Sequence, residues 1–409
     1  GYSSAASDVY KRQLWVCSLL FAHPCSSGQE MQWIDHVEMY TSKRPPVEKR
    51  LFRSEVVERV IEETVTLLKN EKLKWMFANC FPNTLDTTVF YESEPEDDTF
   101  VVTGDIPAMW LRDSSAQVWP YLMYANEDER LRKMIRGVIL RQFRLVLLDP
   151  YANAFYRDLS GKGEWQNDRT PMRGGIHERK WEIDSLCYVV RLAYHYWKVT
   201  GDDSVFTAEW MQVVESILTV FKDQQRKENR GNYSFLRVTD RQYDTLSNDG
   251  YGNPVRANGL IASSFRPSDD ATVYPFLTPS NFFAVTSLRQ MEEILLKVNK
   301  NKAMARACNV LYMEVGEALK KHAIHKHPTY GKIYAFEVDG YGNQLCMDDA
   351  NIPSLLALPY ICDVKPSDRI YQNTRKYLLS LDNPYFFKGK YAEGIGGPHI
   401  GMDLSLIHI

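Results

Sequence analysis

Apolar side chains recur every three or four residues over most of the chain, which is the spacing of one face of an α-helix. Over residues 54–70, for example, Val57, Ile61 and Val65 fall on one such face, and Ser54 is placed to cap the helix. The same spacing predicts further helices over residues 128–148, 182–199, 204–227, 280–299, 302–322, 350–360 and 367–380. Alternation typical of strands is short and rare, over residues 87–91, 98–104 and 332–340.

Helices that recur at roughly equal spacing, with polar and aromatic loops between them, predict an all-α fold. Helical hairpins around a common axis would form an (α/α) barrel, whose loops carry the chemistry. An irregular helical bundle is the alternative, and periodicity does not separate the two. No Pro/Gly/Ser-rich linker and no charge run divides the chain, so a single domain is predicted over residues 33–403.

The composition of the chain limits the kinds of ligand and partner that the protein is expected to bind. The 409 residues carry a net charge of -3, which provides no broad basic field for nucleic acid, and no run approaches the length of a membrane span. Nine histidines are dispersed and seven cysteines form no CxxC pair, so no metal site is predicted. The chain also has no P-loop, no GxSxG and no GxGxxG after a strand, so no cofactor is predicted.

Several loops place polar side chains beside aromatic rings. In "GDIPAMWLRDSSAQVWP", Trp110, Arg112 and Asp113 offer a ring face, a donor fork and an acceptor within four residues. Such a set suits a sugar, because hydroxyl groups need donors and acceptors in fixed directions and the C–H face of the ring needs an apolar plate. The alternative is an Arg–Asp pair that locks the start of a helix.

Two adjacent aspartates, Asp269 and Asp270, stand in "SSFRPSDDATVYPF", before a run that reads as the start of a helix. One of them is therefore predicted to be an N-cap, which leaves the other unexplained. Neighbouring carboxylates repel, so one keeps its proton to higher pH, as a general acid must. Asp348 and Asp349 repeat the arrangement. Carboxylates and aromatics without a metal or cofactor motif favour glycoside hydrolysis.

These loops also carry a resemblance. The segments "GDIPAMWLRDSSAQVWPY", "GGIHERKWEIDSLCY", "SSFRPSDDATVYPFLTPSNFFA", "MDDANIPSLLALPY" and "EGIGGPH" resemble the signature segments of glycoside hydrolase family 125, the metal-independent exo-α-1,6-mannosidases. The resemblance extends from about Pro45 to Met402.

The resemblance implies an (α/α)6 barrel, incomplete at its C-terminus, that removes terminal α-1,6-linked mannose from a manno-oligosaccharide or N-glycan with inversion. The general acid would be an aspartate of "FRPSDDA", with Asp269 as the expected donor and Asp270 as a binding partner or cap. The residues expected to line the mannose pocket are Trp110, Arg112, Asp113, His177, Arg266, Asp349 and Asn351. The alternatives are another (α/α)6 glycosidase, of the glucoamylase or trehalase type, and a non-catalytic carbohydrate-binding protein.

Both ends depart from this pattern. In the family the base follows the "GGPH" segment in a motif like H-E-S-F, which this chain does not reach, so the 409-residue chain is expected to be inactive or severely impaired. Glu393 is expected to have a ligand or structural role. Residues 404–409 and much of residues 1–32 resemble translated adapter sequence, and "RQLWVCSLLFAHPCSSGQE" resembles a damaged signal peptide, which favours export.

Overall fold

A computed structural model of the chain describes residues 40–390 and 392–401, and most of its regular structure is helical. Three sequence predictions lie outside the described residues. They are the leader over residues 1–32, the tail over residues 404–409 and the catalytic base expected beyond Met402. None of the helices in this described part is long and apolar enough to cross a bilayer.

The α-helices of the described residues are α1 Glu55–Leu67, α2 Glu71–Cys80, α3 Asn83–Thr87, α4 Leu111–Val118, α5 Glu129–Leu148, α6 Ile183–Thr200, α7 Ala208–Gln224, α8 Thr278–Lys297, α9 Lys302–His322, α10 Leu358–Ile361 and α11 Arg369–Leu378. Seven of the eight helices expected from periodicity are therefore present, to within a few residues at their ends. The predicted cap of α1 is confirmed, because the Ser54 side chain accepts a hydrogen bond from the Val57 amide at 3.2 Å.

The helix predicted over residues 350–360 is wrong, since only α10, from Leu358 to Ile361, is helical there. Pro353 lacks an amide hydrogen, and proline disfavours helical dihedrals in the residue before it. The Asp348 carboxylate instead accepts the amides of Leu355 and Leu356 at 2.8 and 2.9 Å. The side chain therefore stabilises a non-helical turn at this point.

Short antiparallel pairs account for the strands. They are β1 Val89–Glu92 with β2 Asp98–Val101, β4 Ala154–Phe155 with β5 Ile176–Glu178, β7 Ile324–His327 with β8 Gly331–Tyr334, and β11 Phe386–Lys388 with β12 Glu393–Ile395. A further strand is β3 Met109–Trp110, and β9 Glu337–Val338 lies between β6 Phe276–Leu277 and β10 Gln344–Leu345. The three strand regions expected from alternation are confirmed.

The chain divides into two compact units. The first ends at Arg141 and includes Tyr196–Asp202, and the second contains Gln142–His195 and the chain from Asp203 onward. In the second unit α8 packs against α9. A buried cluster there includes Leu277, Ile333, Phe336, Met347, Leu355, Leu358, Tyr371, Tyr377 and Leu378. This core supports β6 and β9, which flank the acidic turn described below.

We expect Thr207→Ala to destabilise the protein by about 1 kcal/mol, because the Thr207 side chain accepts the Glu209 amide at 3.2 Å as the N-cap of α7. Thr219→Ala on the exposed face of the same helix is the matched control and should be neutral or slightly stabilising, since alanine favours helix. Urea-induced unfolding followed by circular dichroism compares the two. Equal midpoints would show that the cap contributes nothing.

Candidate active site

Asp269 and Asp270 lie on a tight hairpin loop, and neither caps a helix. The loop is closed by a bridge between Phe265 and Ala271, by the Arg266 amide donating to the Asp270 carbonyl at 2.8 Å, and by the Asp269 amide donating to the Arg266 carbonyl at 2.9 Å. Asp269 has φ +69°, in the left-handed region that aspartate tolerates better than most residues. A turn followed by a left-handed residue is a common three-residue hairpin loop.

The capping role predicted for this pair is therefore wrong. The next helix, α8, begins at Thr278, and its N-cap Leu277 makes no side-chain cap hydrogen bond. The intervening chain returns alongside the outgoing arm, because the Thr272 amide donates to the Ser264 carbonyl at 3.0 Å and the Ser263 amide donates to the Pro275 carbonyl at 2.8 Å. A bend over residues 273–275 and strand β6 follow before the helix starts.

The carboxyl group of Asp270 is buried, and only one of its two oxygens has a hydrogen-bond partner. The residue is 1% exposed, and Oδ1 lies 2.9 Å from Nδ1 of His399. Burial raises the pKa of Asp270, and the charge of Asp349 raises it further, against the hydrogen bond and charge of His399, which lower it. The net pKa is raised, which favours a carboxyl group that keeps its proton to higher pH than an exposed aspartate does.

His399 comes from the glycine-rich segment at the end of the described chain. Burial lowers the pKa of His399, but the hydrogen bond to Asp270 and the charges of Asp270 and Asp269 outweigh this and raise it. The ring of Tyr243 lies 6.4 Å from the His399 ring in an edge-on arrangement. In the sequence this histidine ends the segment "EGIGGPH", and no role was predicted for it.

Asp348 and Asp349 have different hydrogen-bond partners. Asp348 is the turn-stabilising residue described above, and burial raises its pKa to about 7. Asp349 Oδ1 accepts the amide and the side-chain Nδ2 of Asn351 at 3.0 and 2.7 Å. A Cβ atom at Gly397 would lie 2.8 Å from Asp349 Oδ1, so the glycine permits the "GGPH" backbone to approach this carboxylate.

Arg266 precedes the acidic turn and is held by a glutamate that sequence reasoning missed. Nε of Arg266 donates to Oε1 of Glu337 at 2.6 Å, and Oε2 of Glu337 accepts the amides of Val273 and Tyr274, each at 3.0 Å. Glu337 is fully buried in β9. Its position in a short apolar strand, where a charge has no solvent, was the available signal in the sequence.

A second buried charge network lies beside the turn. Lys180 Nζ donates to Asp244 Oδ1 at 2.6 Å and to the Asp269 carbonyl oxygen at 3.1 Å. Arg237 joins the same network through Glu178 at 3.0 Å and Asp168 at 2.7 Å. Burial raises the pKa of Glu178, but Lys180 and Arg237 outweigh it and hold the net pKa at about 2. The sequence analysis singled out none of Lys180, Asp244, Arg237, Glu178 and Asp168.

His177 is placed next to this network in β5. Its Nδ1 lies 2.8 Å from the Tyr156 hydroxyl, and the two rings meet edge to face at 5.0 Å. Burial lowers its pKa, which favours the neutral imidazole. Its expected role in sugar binding stays a prediction.

Trp110, Arg112 and Asp113 belong to the first compact unit, and all three side chains are buried. Arg112 and Asp113 lie in the first turn of α4, with Nε and Oδ2 3.6 Å apart. This geometry supports the helix-locking alternative weighed from the sequence. The sugar-binding role of the three residues also stays a prediction.

Glu393 lies in β12, exposed, and pairs with Lys388 at 3.3 Å across the β11–β12 hairpin. A solvent-exposed ion pair of this kind is compatible with the structural role expected for it. Across the described residues, no group of three or more His, Cys, Asp and Glu side chains is arranged to hold a metal ion.

Several buried polar atoms on or beside the turn have no hydrogen-bond partner. In the second unit they include Oδ1 of Asp269, Oδ2 of Asp270, Oδ2 of Asp349, Nη2 of Arg266 and Oγ of Ser268. Most buried polar atoms in proteins are paired, because leaving one unpaired costs about 1–3 kcal/mol. Donors and acceptors gathered on one loop are suited to a ligand rich in hydroxyl groups.

Comparisons with known proteins agree with this chemistry. Residues 70–406 match the family described as metal-independent alpha-mannosidase (GH125). The chain is 43% identical to the meiotically up-regulated gene 157 protein of Schizosaccharomyces pombe, over 88% of this chain and 74% of that protein. A solved metal-independent alpha mannosidase of Streptococcus pneumoniae, in a non-productive complex with alpha-1,6-mannobiose, is 44% identical, with a TM-score of 0.80 over 85% of this chain and 82% of that one. The likeness confirms the predicted (α/α)6 fold class.

We expect His399→Gln to raise the pKa of Asp270 above its value in the unmodified protein, because the substitution removes the positive charge that favours the ionised carboxyl. Titration of ¹³Cγ-labelled aspartate by NMR measures it, with Asp270→Asn identifying the resonance. His325→Gln, which removes a histidine bonded to Gln344, is the control and should leave the titration unchanged. An unchanged or lowered pKa in His399→Gln would contradict the geometry.

Proposed function

Because the chain belongs to the GH125 family of metal-independent α-mannosidases, we propose that the protein is an inverting exo-α-1,6-mannosidase acting on the non-reducing ends of mannans or N-glycans. The observation that carries the proposal is the Asp269–Asp270 turn, which buries a carboxyl group of raised pKa beside unpartnered polar atoms of Arg266 and Asp349. A general acid and sugar-binding groups are what a metal-independent glycosidase requires.

The choice of linkage rests on the streptococcal relative. That protein was solved with alpha-1,6-mannobiose, and it shares 44% identity with this chain over 85% of it. Since the loops that form the acidic turn carry the family resemblance, the same disaccharide is the first substrate to test.

Hydrolysis would begin with protonation of the glycosidic oxygen by one carboxyl group of the pair. The C1–O bond then breaks through an oxocarbenium-like transition state while water attacks C1 from the opposite face, and a second carboxylate takes a proton from that water. The products are mannose of inverted configuration and the shortened glycan. In inverting glycosidases the two carboxyl groups lie roughly 6.5–9.5 Å apart, which leaves room for the water. The base expected beyond Met402 is outside the described residues.

Either Asp269 or Asp270 is the proposed proton donor, and a different argument favours each. Likeness to other (α/α) glycosidases favours Asp269, the first of the pair. The raised pKa of Asp270 favours that residue instead, because the donor must remain protonated near the working pH. Whichever aspartate does not donate would bind the sugar or hold the donor in position.

Sugar recognition would use the unpartnered atoms of the second unit first. Arg266 Nη2 is a buried donor and Asp349 Oδ2 a buried acceptor, and Asn351 is fixed against Asp349. Hydroxyl groups of mannose both donate and accept hydrogen bonds, so they suit a donor such as Arg266 Nη2 and an acceptor such as Asp349 Oδ2. We include Trp110, Arg112, Asp113 and His177 as further proposed contacts.

We expect the full-length protein to release mannose from α-1,6-mannobiose, with the β-anomer appearing first in ¹H NMR spectra, because water attacks opposite the leaving group. α-1,2- and α-1,3-mannobiose and an α-1,6-linked glucose disaccharide are the matched controls and should be poor substrates. Faster release of glucose would favour another (α/α)6 glycosidase. Binding without any release would favour a carbohydrate-binding protein.

We expect the asparagine variant of the true donor to lose about 10²–10⁴-fold in kcat on α-1,6-mannobiose. The same variant should lose far less on 2,4-dinitrophenyl α-mannoside, whose leaving group departs without protonation. Asp269→Asn and Asp270→Asn are therefore compared on both substrates. If neither variant shows the difference between substrates, the acid does not reside in this pair.

A further inference from the structure

Lys180 is a buried cation in contact with the backbone of the acidic turn. The residue is 2% exposed and follows β5 in the segment "RGGIHERKWEIDS". Its Nζ donates to the carbonyl oxygen of Asp269 at 3.1 Å and to Oδ1 of Asp244 at 2.6 Å. Neither contact is with a side chain of the acid pair, so the lysine acts on the peptide between the two aspartates.

The ammonium group stays charged where it lies. Burial lowers the pKa of Lys180, but Glu178, at 3.6 Å, together with Asp269 and Asp244, outweighs this and raises the net pKa. Arg237, which lies 3.0 Å from Glu178 and 3.2 Å from Asp244, lowers the pKa of Lys180 but does not reverse its net rise. Lys180 is therefore a permanent hydrogen-bond donor at neutral pH.

The peptide that Lys180 holds determines how the aspartates project. A peptide group is planar, so fixing its carbonyl also fixes the direction of its N–H and limits ψ of Asp269 and φ of Asp270. Asp269 is in a left-handed conformation with φ +69°, which is uncommon for a residue with a Cβ atom although aspartate tolerates it better than most. The contacts of the turn with its surroundings help to hold this conformation.

The segment that contains Asp244 also contacts the acidic turn directly, at Ala271. The Ala271 amide donates to the carbonyl of Tyr243 at 2.8 Å, directly beside Asp244, which accepts from Lys180. The short 3₁₀ helix Gln242–Asp244 is thus attached to the residue after the pair through its backbone, and to the pair itself through Lys180. Movement of the turn would break both attachments.

We propose that Lys180 is a positioning residue that, through the Asp269 carbonyl, fixes the angle at which the acid pair meets the glycosidic oxygen. The inference rests on the proposed glycosidase function of this turn. The competing explanation is that Lys180 only balances charge in a buried ion network, in which case any break in that network has the same effect.

The test compares Lys180→Met with Asp168→Asn in the full-length protein. Asp168 pairs with Arg237 at the far end of the same network, at 2.7 and 2.9 Å, so its loss also breaks a buried ion pair. Lys180→Met should lower kcat on α-1,6-mannobiose by about 10- to 100-fold, because a misplacement of about 1 Å costs that much. KM should change by less than about threefold, and 2,4-dinitrophenyl α-mannoside, which needs no acid, should be affected far less.

Asp168→Asn should lower thermal stability but leave the ratio of the two substrates' rates as in the unmodified protein. Equal ratios in Lys180→Met and Asp168→Asn would overturn the positioning role. If Lys180→Met does not fold, Lys180→Gln, a neutral donor, replaces it and should give a smaller change in the same ratio. An unchanged ratio in that variant would also overturn the proposal.

A crystal structure of the lysine variant provides a readout independent of activity. We expect φ of Asp269 to leave the left-handed region or the Asp270–His399 hydrogen bond to break. Retention of both would overturn the proposal even if the rate falls. If the unmodified protein fails to hydrolyse α-1,6-mannobiose, the proposed function fails, whereas the crystallographic comparison still decides the role of Lys180.

Discussion

Arg266 and Glu337, 71 positions apart in the chain, meet in the interior through a 2.6 Å hydrogen bond between opposite charges. The same glutamate accepts the amides of Val273 and Tyr274, so one carboxylate joins the outgoing arm of the acidic turn, its return arm and β9. Removing one member of a buried pair costs about 3–5 kcal/mol, because the other charge is left without compensation. The position of the turn, and of both aspartates on it, depends on this contact.

Charge of both signs then surrounds the turn at short range. Asp349 repels the Asp270 carboxylate, His399 attracts it, and burial disfavours its ionised form, with a raised pKa as the net result. Lys180 approaches from the backbone side and leaves the carboxyl groups unoccupied. Carboxyl groups with free oxygens, held on a stiff loop among fixed charges, meet the demands of proton transfer in an α-mannosidase family.

The acidic motif had two interpretations that its residues alone could not separate. Aspartates after proline and serine are typical of helix N-caps and also of turns, since a short acidic side chain suits both. In the structure, the chain after the aspartates forms strand β6, and the next helix begins only at Thr278. The aspartates therefore belong to a turn and not to a helix N-cap. Asp348 shows the same ambiguity with a third outcome, because it binds two amides of a turn where a helix was expected.

The sequence by itself determined seven of the eight helices that it predicted, the capping of α1 by Ser54 and the α-mannosidase family, because periodicity and motifs are properties of neighbouring residues. It also brought Asp270, Arg266 and Asp349 forward as site residues. Only the tertiary structure decided that His399, Glu337 and Lys180 surround the acidic turn. Their contacts with the turn span 129, 71 and 89 positions, and no local pattern records pairings at such separations. Burial, which sets the pKa of Asp270, likewise exists only once the chain has folded.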